Sequence, residues 1–344
     1  MSNESGTAHS HFLSLPDLAS RAAGGAVVWA NDELFAEKEN LIRPAPPEHR
    51  PATFGHKGQI YDGWETRRRR GTDHESHDSA IVRLGVPGIV RGVVVDTAFF
   101  TGNYPPEVSV EAVYVPGHPS VGELLDRHWT AVVERSPVDG DTRNAFEVNS
   151  NRRWSHVRLT IYPDGGVARL RVHAEGLLDP QYAELPLDLA AVENGGRITG
   201  CSNMFYSSPN NLLLPGTART MGEGWETSRR RDDGNDWVTV QLAGQGLLTF
   251  AEIDTSYFIG NAPGSAHLRG RDGGGGGDGD WFDLLPDTPL QPDTRHRFVI
   301  AEQRPVSEAR LDIHPDGGLA RLRLFGRLTD SGLRRVEENW SLAG

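Results

Sequence analysis

Cysteine is almost missing from this sequence. One residue, Cys201, stands in a chain of 344, so no disulfide can close within it and the composition suits a reducing compartment. Long apolar runs are missing too: none approaches the ~20 residues that a membrane-spanning helix requires. The opening "MSNESGTAHSHF" has neither the basic start nor the apolar stretch of a secretory signal, and a cytoplasmic location is expected. An excess of positive charge is lacking as well. The formal net charge is −12, which argues against nucleic acid or an anionic membrane as the main partner, because a surface that tracks phosphates is basic overall. No serine, cysteine or histidine stands in a recognisable nucleophile setting.

What the chain does have is bulk, glycine and repetition. Its length fits two domains of roughly 150 residues each. Glycine (40) and proline (22) are plentiful, yet a hydrophobic share of 37% with 8 Trp and 12 Phe is enough for packed interiors. "DGWETRRRR" at Asp62–Arg70 returns as "EGWETSRRR" at Glu223–Arg231. The echo extends on both sides in constant order. "NDELFAEKENLI" (31–42) falls on "SNMFYSSPNNLL" (202–213), "HDSAIVRLG" (77–85) on "NDWVTVQLAG" (235–244), "DTAFFTGNYP" (96–105) on "DTSYFIGNAP" (254–263), and "YPDGGVARLRV" (162–172) on "HPDGGLARLRL" (314–324). An internal duplication follows. The expected division is an N-terminal extension at 1–23, a first repeat at 24–177, a linker at 178–197, a second repeat at 198–330 and a tail at 331–344.

Inside each repeat the period is two. "HVRLTIY" places Val157, Leu159 and Ile161 on one face and Arg158 and Thr160 on the other, and "ARLDI" and "ARLRL" do the same. "PDGG" at 163–166 and 315–318 supplies turn chemistry between alternating runs, as in a hairpin. The denser runs "AIV" and "VVVD" suit strands in the middle of a sandwich. Helix signals are few: a Ser120/Glu123 capping box opens "SVGELLDRH", and "LPDLASRAA" is a second candidate. The fold class expected is all-β, a sandwich written twice. Trp64 and Trp225 are expected at equivalent, buried places, since each would otherwise leave a large apolar surface in water.

Two stretches imitate functional motifs. "GRDGGGGGDGDW" (270–281) lacks the lysine and the strand-then-helix setting of a phosphate loop and reads as a surface insertion. "HESHD" (74–78) gathers imidazoles and carboxylates, but its counterpart keeps only Asp236 and the spacing matches no zinc pattern, so a solvated loop is the stronger reading.

The arginine run admits two readings. If extended, "WETRRRR" sends Glu65, Arg67 and Arg69 to one face and Thr66, Arg68 and Arg70 to the other. The arginines then either neutralise acids present in both repeats (Glu65 and Glu226, Asp78 and Asp236, Asp96 and Asp254), or one row faces a cleft and grips an acidic small molecule through paired hydrogen bonds. Arg67 differs from its counterpart Ser228, as expected if one face alone is specialised for a ligand.

The strings "FAEKENLI", "DGWETRRRR", "IVRLGVPGIVRGVVVDTAFFTGNYP", "GWETSRRR", "NDWVTVQL" and "DTSYFIGN" resemble the allantoicase family over roughly residues 24–330. Ser79 departs from the tryptophan usual in that family, which the second repeat keeps as Trp237. The resemblance implies two jelly-roll β-sandwiches related to galactose-binding modules, a homo-oligomer, and hydrolysis of allantoate to ureidoglycolate and urea. Such a reaction needs a guanidinium for the carboxylate, polar groups for the ureido arms and an acid/base for proton transfer. Arg67, Arg69 and Arg230 are candidates for the first, Asn103 and Asn261 for the second, and Glu65, Asp96, Glu226 and Asp254 for the third, with direct attack by water. No cofactor is expected, with a divalent metal left open. The alternatives are a non-catalytic small-molecule or sugar-binding sandwich and an inactive homologue.

Overall fold

The computed structural model describes residues 11–70, 75–273 and 280–344; the glycine-rich stretch centred on 274–279 and His74 lie outside them. The chain forms two compact units, Met1–Glu175 and Gly176–Gly344, and each is built around one long strand. In the first unit this is Asp78–Asp96, 19 residues long. Its opening half pairs antiparallel with Arg153–Tyr162 and with Ala26–Ala30. A register shift then falls between Arg83 and Gly88, and the closing half pairs with Arg143–Glu147. Glu107–Val113 and Thr130–Pro137 complete the sheet beyond Arg153–Tyr162. The second unit repeats the plan around Asp236–Asp254, flanked by Val306–His314 and Arg197–Cys201 early and by Arg295–Val299 and Arg321–Leu328 late. The all-β class and the duplicated sandwich hold.

Dense apolar runs sit where both faces of the sheet are covered. Ile81, Val82, Val93, Val94 and Val95 are all fully buried, because a strand in the middle of a sandwich has no wet side. Val157, Leu159 and Ile161 also point inward, as alternation requires. Their neighbours are less exposed than a half-buried strand would leave them. Arg158 pairs with Glu111 at 2.6 Å and lies over the Trp129 ring, while Thr160 is buried.

The Ser120/Glu123 capping box forms as spelled: the Ser120 hydroxyl accepts from Glu123 N and the Glu123 carboxylate accepts from Ser120 N, opening the helix Val121–Leu125. "LPDLASRAA" yields one short 3-10 turn, Arg21–Ala23. Asp17 instead binds the edge of the sheet, accepting from Val172 N at 2.8 Å, and Leu18 N donates to Val172 O. In the second unit Asp188 does the same, accepting from Leu324 N and Ala190 N as Asp17 does from Val172 N and Ala19 N. The stretches read as extension and linker thus contain the same strap in both units. The segment after 330 carries the helix Asp330–Leu342, N-capped by the Thr329 hydroxyl and packed through Val336 on Leu178, Ala183 and Leu328. Gly332 in its first turn, a poor helix former, weakens its local signal.

Candidate active site

Why the two spelled-out motifs recur together is a matter of hydrogen bonds. Trp64–Glu65 pairs with Gly166–Val167 immediately after the "PDGG" turn, and Trp225–Glu226 pairs with Gly318–Leu319. Thr66 N donates to Gly165 O and the Thr66 hydroxyl accepts from Gly165 N; Thr227 and Gly317 are tied identically. Asp164 accepts from Arg69 N and Asp316 from Arg230 N, each at 2.7 Å. The turn needs glycine twice. Gly165 has φ of 146°, a conformation side chains rarely adopt, and a Cβ on Gly166 would lie 2.0 Å from the Phe100 ring. Both indoles are fully buried, and each Nε1 donates at 2.8 Å to a backbone carbonyl, Asp32 O for Trp64 and Asn203 O for Trp225.

On this frame stands a carboxylate with an amide aimed at it. Asn103 is anchored through its carbonyl, which accepts from Gly166 N, and its side-chain Nδ2 donates to Glu65 Oε1 at 2.8 Å. Asn261 and Glu226 repeat the pair at 2.7 Å, with the Met221 sulfur 3.6 Å from the same amide nitrogen. Burial pushes the Glu65 carboxyl above its ordinary range; the Asn103 hydrogen bond and the Arg68 charge oppose this without reversing it. Arg68 is exposed, and among the described residues no acceptor pairs with it. A raised carboxyl, an oriented amide and an uncommitted cation are the groups that hydrolysis of an acidic, amide-like substrate requires.

The family model described as "Allantoicase repeat" matches residues 16–177 and again 187–329. The chain belongs to the allantoicase family. A probable allantoicase of Nocardia farcinica is 60% identical over 320 residues, covering 92% of this chain and 95% of that one. An allantoicase of Dictyostelium discoideum is 39% identical, covering 92% and 88%. A crystal structure of allantoicase from Saccharomyces cerevisiae is 35% identical, with a TM-score of 0.78 over 90% of this chain and 92% of that one. Each matched repeat begins at the Asp17 or Asp188 strap, not at the following strand.

Within the allantoicase repeats, the residues singled out from the sequence separate into distinct environments. Glu65 with Asn103, and Glu226 with Asn261, are brought together. Arg69 is committed: its Nη2 donates to the buried Asp78 at 2.5 Å and to His77 O. Arg230 spans Asp232 and Asp236. Both belong to the ion-pair reading. Arg67 is exposed and engages Asp32. Asp96 and Asp254 are buried at the ends of the long strands, where they accept from Ala98 N and Ser256 N; among the described residues no hydrogen bond joins either to the glutamate–asparagine pairs.

Strict alternation puts Arg68 on the face away from Glu65, and its charge is nonetheless among those that oppose the rise of the Glu65 carboxyl. The strand is only two residues long, and Thr66 beyond it is locked to Gly165. Asp32 was also missed. Its signal was present in the repeats themselves, since Asp32 and Arg67 are both replaced, by Asn203 and Ser228. In the "HESHD" stretch, Asp78 is held by Arg69 and Asn31, and the His77 ring packs on Tyr162. Among the described residues no group of three or more His, Cys, Asp or Glu side chains could hold a metal ion. At the departure from the family pattern, Ser79 N donates to Asn31 Oδ1, whereas Trp237 lies beneath Arg310.

Proposed function

We propose that this chain hydrolyses allantoate to ureidoglycolate and urea, and that the reaction takes place at the Glu65–Asn103 pair of the first unit. The observation that carries the placement is the raised Glu65 carboxyl with Asn103 on Oε1, which leaves Oε2 for the substrate. Glu65 in its protonated form gives its proton to the departing ureido nitrogen as the C–N bond breaks. The resulting carboxylate then takes a proton from the water that bonds to the same carbon, and the group returns to its starting state. Urea leaves with the donated proton, and the hydroxyl of ureidoglycolate comes from water. Asn103 holds the glutamate and presents its amide edge to a ureido arm. Arg67 and Arg68 supply positive charge for the substrate carboxylate.

Family membership supports the reaction, and no metal or cofactor enters this scheme. Self-association is part of the same reading. Met204, Phe205 and Tyr206 are 58%, 68% and 65% exposed, more apolar surface than one loop of a monomer ordinarily leaves in water. In the first unit Phe100 of "DTAFFTGNYP" is instead fully buried against Tyr61. Among the described residues no helix is long and apolar enough to cross a membrane; a cytoplasmic location rests on the single cysteine, which suits a reducing compartment. The test is urea release from pure allantoate by the full chain, with equimolar ureidoglycolate as the second product. Binding of allantoate without urea release would refute the reading.

A further inference from the structure

The two units differ by a matched exchange at one place. In the first, Asp32 Oδ1 accepts from Arg67 N at 2.9 Å and Leu34 N at 3.0 Å, and Asp32 Oδ2 accepts from Arg67 Nε at 2.6 Å. In the second, Asn203 Oδ1 accepts from Ser228 N at 3.0 Å and Phe205 N at 2.9 Å, and Asn203 Nδ2 donates to the Ser228 hydroxyl at 2.8 Å. The backbone bonds are the same. What the first unit adds is a carboxylate and a guanidinium, and the second unit shows that the local fold forms without them.

Stability is a poor account of that addition. The Arg67 side chain is 64% exposed, and an exposed ion pair contributes only about 0–1 kcal/mol. The geometry fits another purpose. Asp32, 13% exposed, takes Nε and so fixes the plane of the guanidinium. Among the described residues nothing accepts from Nη1 or Nη2. That free end is a planar fork matched to a carboxylate, two residues beyond Glu65 and within about 7 Å of extended chain.

We propose that Asp32 is a positioning residue that holds the Arg67 fork toward the carboxylate of the substrate, and that the second unit, with Asn203 and Ser228, has no such clamp. The chain then carries one site for an acidic substrate, in its first unit. This rests on the Glu65 reading above and deepens it.

The decisive variant is Asp32→Asn/Arg67→Ser, which copies the second unit's pair into the first. In the full-length protein it should fold, by circular dichroism and thermal unfolding. Its KM for allantoate should rise roughly ten- to a hundredfold, the loss of one charge-assisted contact. The inhibition constant of the uncharged carboxamide analogue of allantoate should change by less than about twofold. Asp32→Asn alone should raise KM by a smaller factor and leave kcat in place, because the cation remains but its plane is free. Arg67→Gln, which retains every backbone bond to Asp32, gives the same test if the double variant folds poorly. An unchanged KM in the Asn/Ser and Gln variants overturns the proposal, as does an equal loss for the acid and its amide. Glu65→Gln separates the two readings: if it turns over like the parent, the placement of the reaction fails, and if it is silent while the Asn/Ser variant keeps its KM, only the clamp fails.

Discussion

Replacing Glu65 by Gln removes one proton-transfer group and almost nothing else. The glutamine fills the same volume, and its amide oxygen can keep the 2.8 Å hydrogen bond from Asn103. Proton transfer by a positioned side chain contributes about 10²–10⁴-fold, so turnover should fall by that order while KM moves little. Stability should move the other way. Because the folded-state pKa of Glu65 is raised by burial, its favourable contribution is present below the unfolded carboxylate pKa and lost as pH rises through the folded value. Wherever Glu65 is ionised in the folded protein, the parent holds a desolvated charge that the variant lacks. Glu65→Gln should therefore unfold at or above the parent's temperature at pH 7, and its advantage should vanish as pH falls into the carboxylate range. The assay pairs urea release with thermal unfolding at pH 7 and pH 4.5. Glu226→Gln provides the comparison, since Asn261 gives it the same geometry at 2.7 Å, and it should cost turnover far less. Turnover of Glu65→Gln within a fewfold of the parent, or an equal loss in Glu226→Gln, would refute the assignment of the reaction to the first unit.

Arg69→Ala leaves the Asp78 carboxylate, 1% exposed, with Asn31 as its remaining side-chain donor; the loss should be about 2 kcal/mol, or roughly 5 °C in Tm, by thermal unfolding. Gly166→Ala should cost about 1–3 kcal/mol by overpacking, because its Cβ would meet the buried Phe100 ring at 2.0 Å, and Gly318→Ala should do the same against Phe258; near-parental denaturation midpoints would contradict the packing. His156 is held neutral, its pKa lowered to about 4 by burial and then by the Arg83 charge. Its unfolded form takes up a proton first, so stability should fall as pH drops from about 6.5 to about 4, and His156→Gln should flatten that part of the profile in denaturant titrations.

Much of this was legible in the sequence because it depends on neighbours along the chain. Alternation marked the strands, Ser120 and Glu123 their capping box, and the doubled "GWET" and "PDGG" the duplication, since turn chemistry and side-chain direction are local properties. Even the Asp32–Arg67 exchange could be read by laying one repeat on the other. What only the tertiary structure decided were matters of partnership across long separations. Thr66 meets Gly165, 99 residues away, at the point where the short strand Trp64–Glu65 ends. Asp78 claims Arg69, while Asp96 and Asp254 each turn one oxygen to the backbone that follows them. The straps at Asp17 and Asp188 reach Val172 and Leu324, 155 and 136 residues away, too far for any local pattern to report. Periodicity states which way a side chain points if the chain stays regular; where regularity stops, and which acid each arginine reaches, is set by packing between segments that the sequence keeps apart.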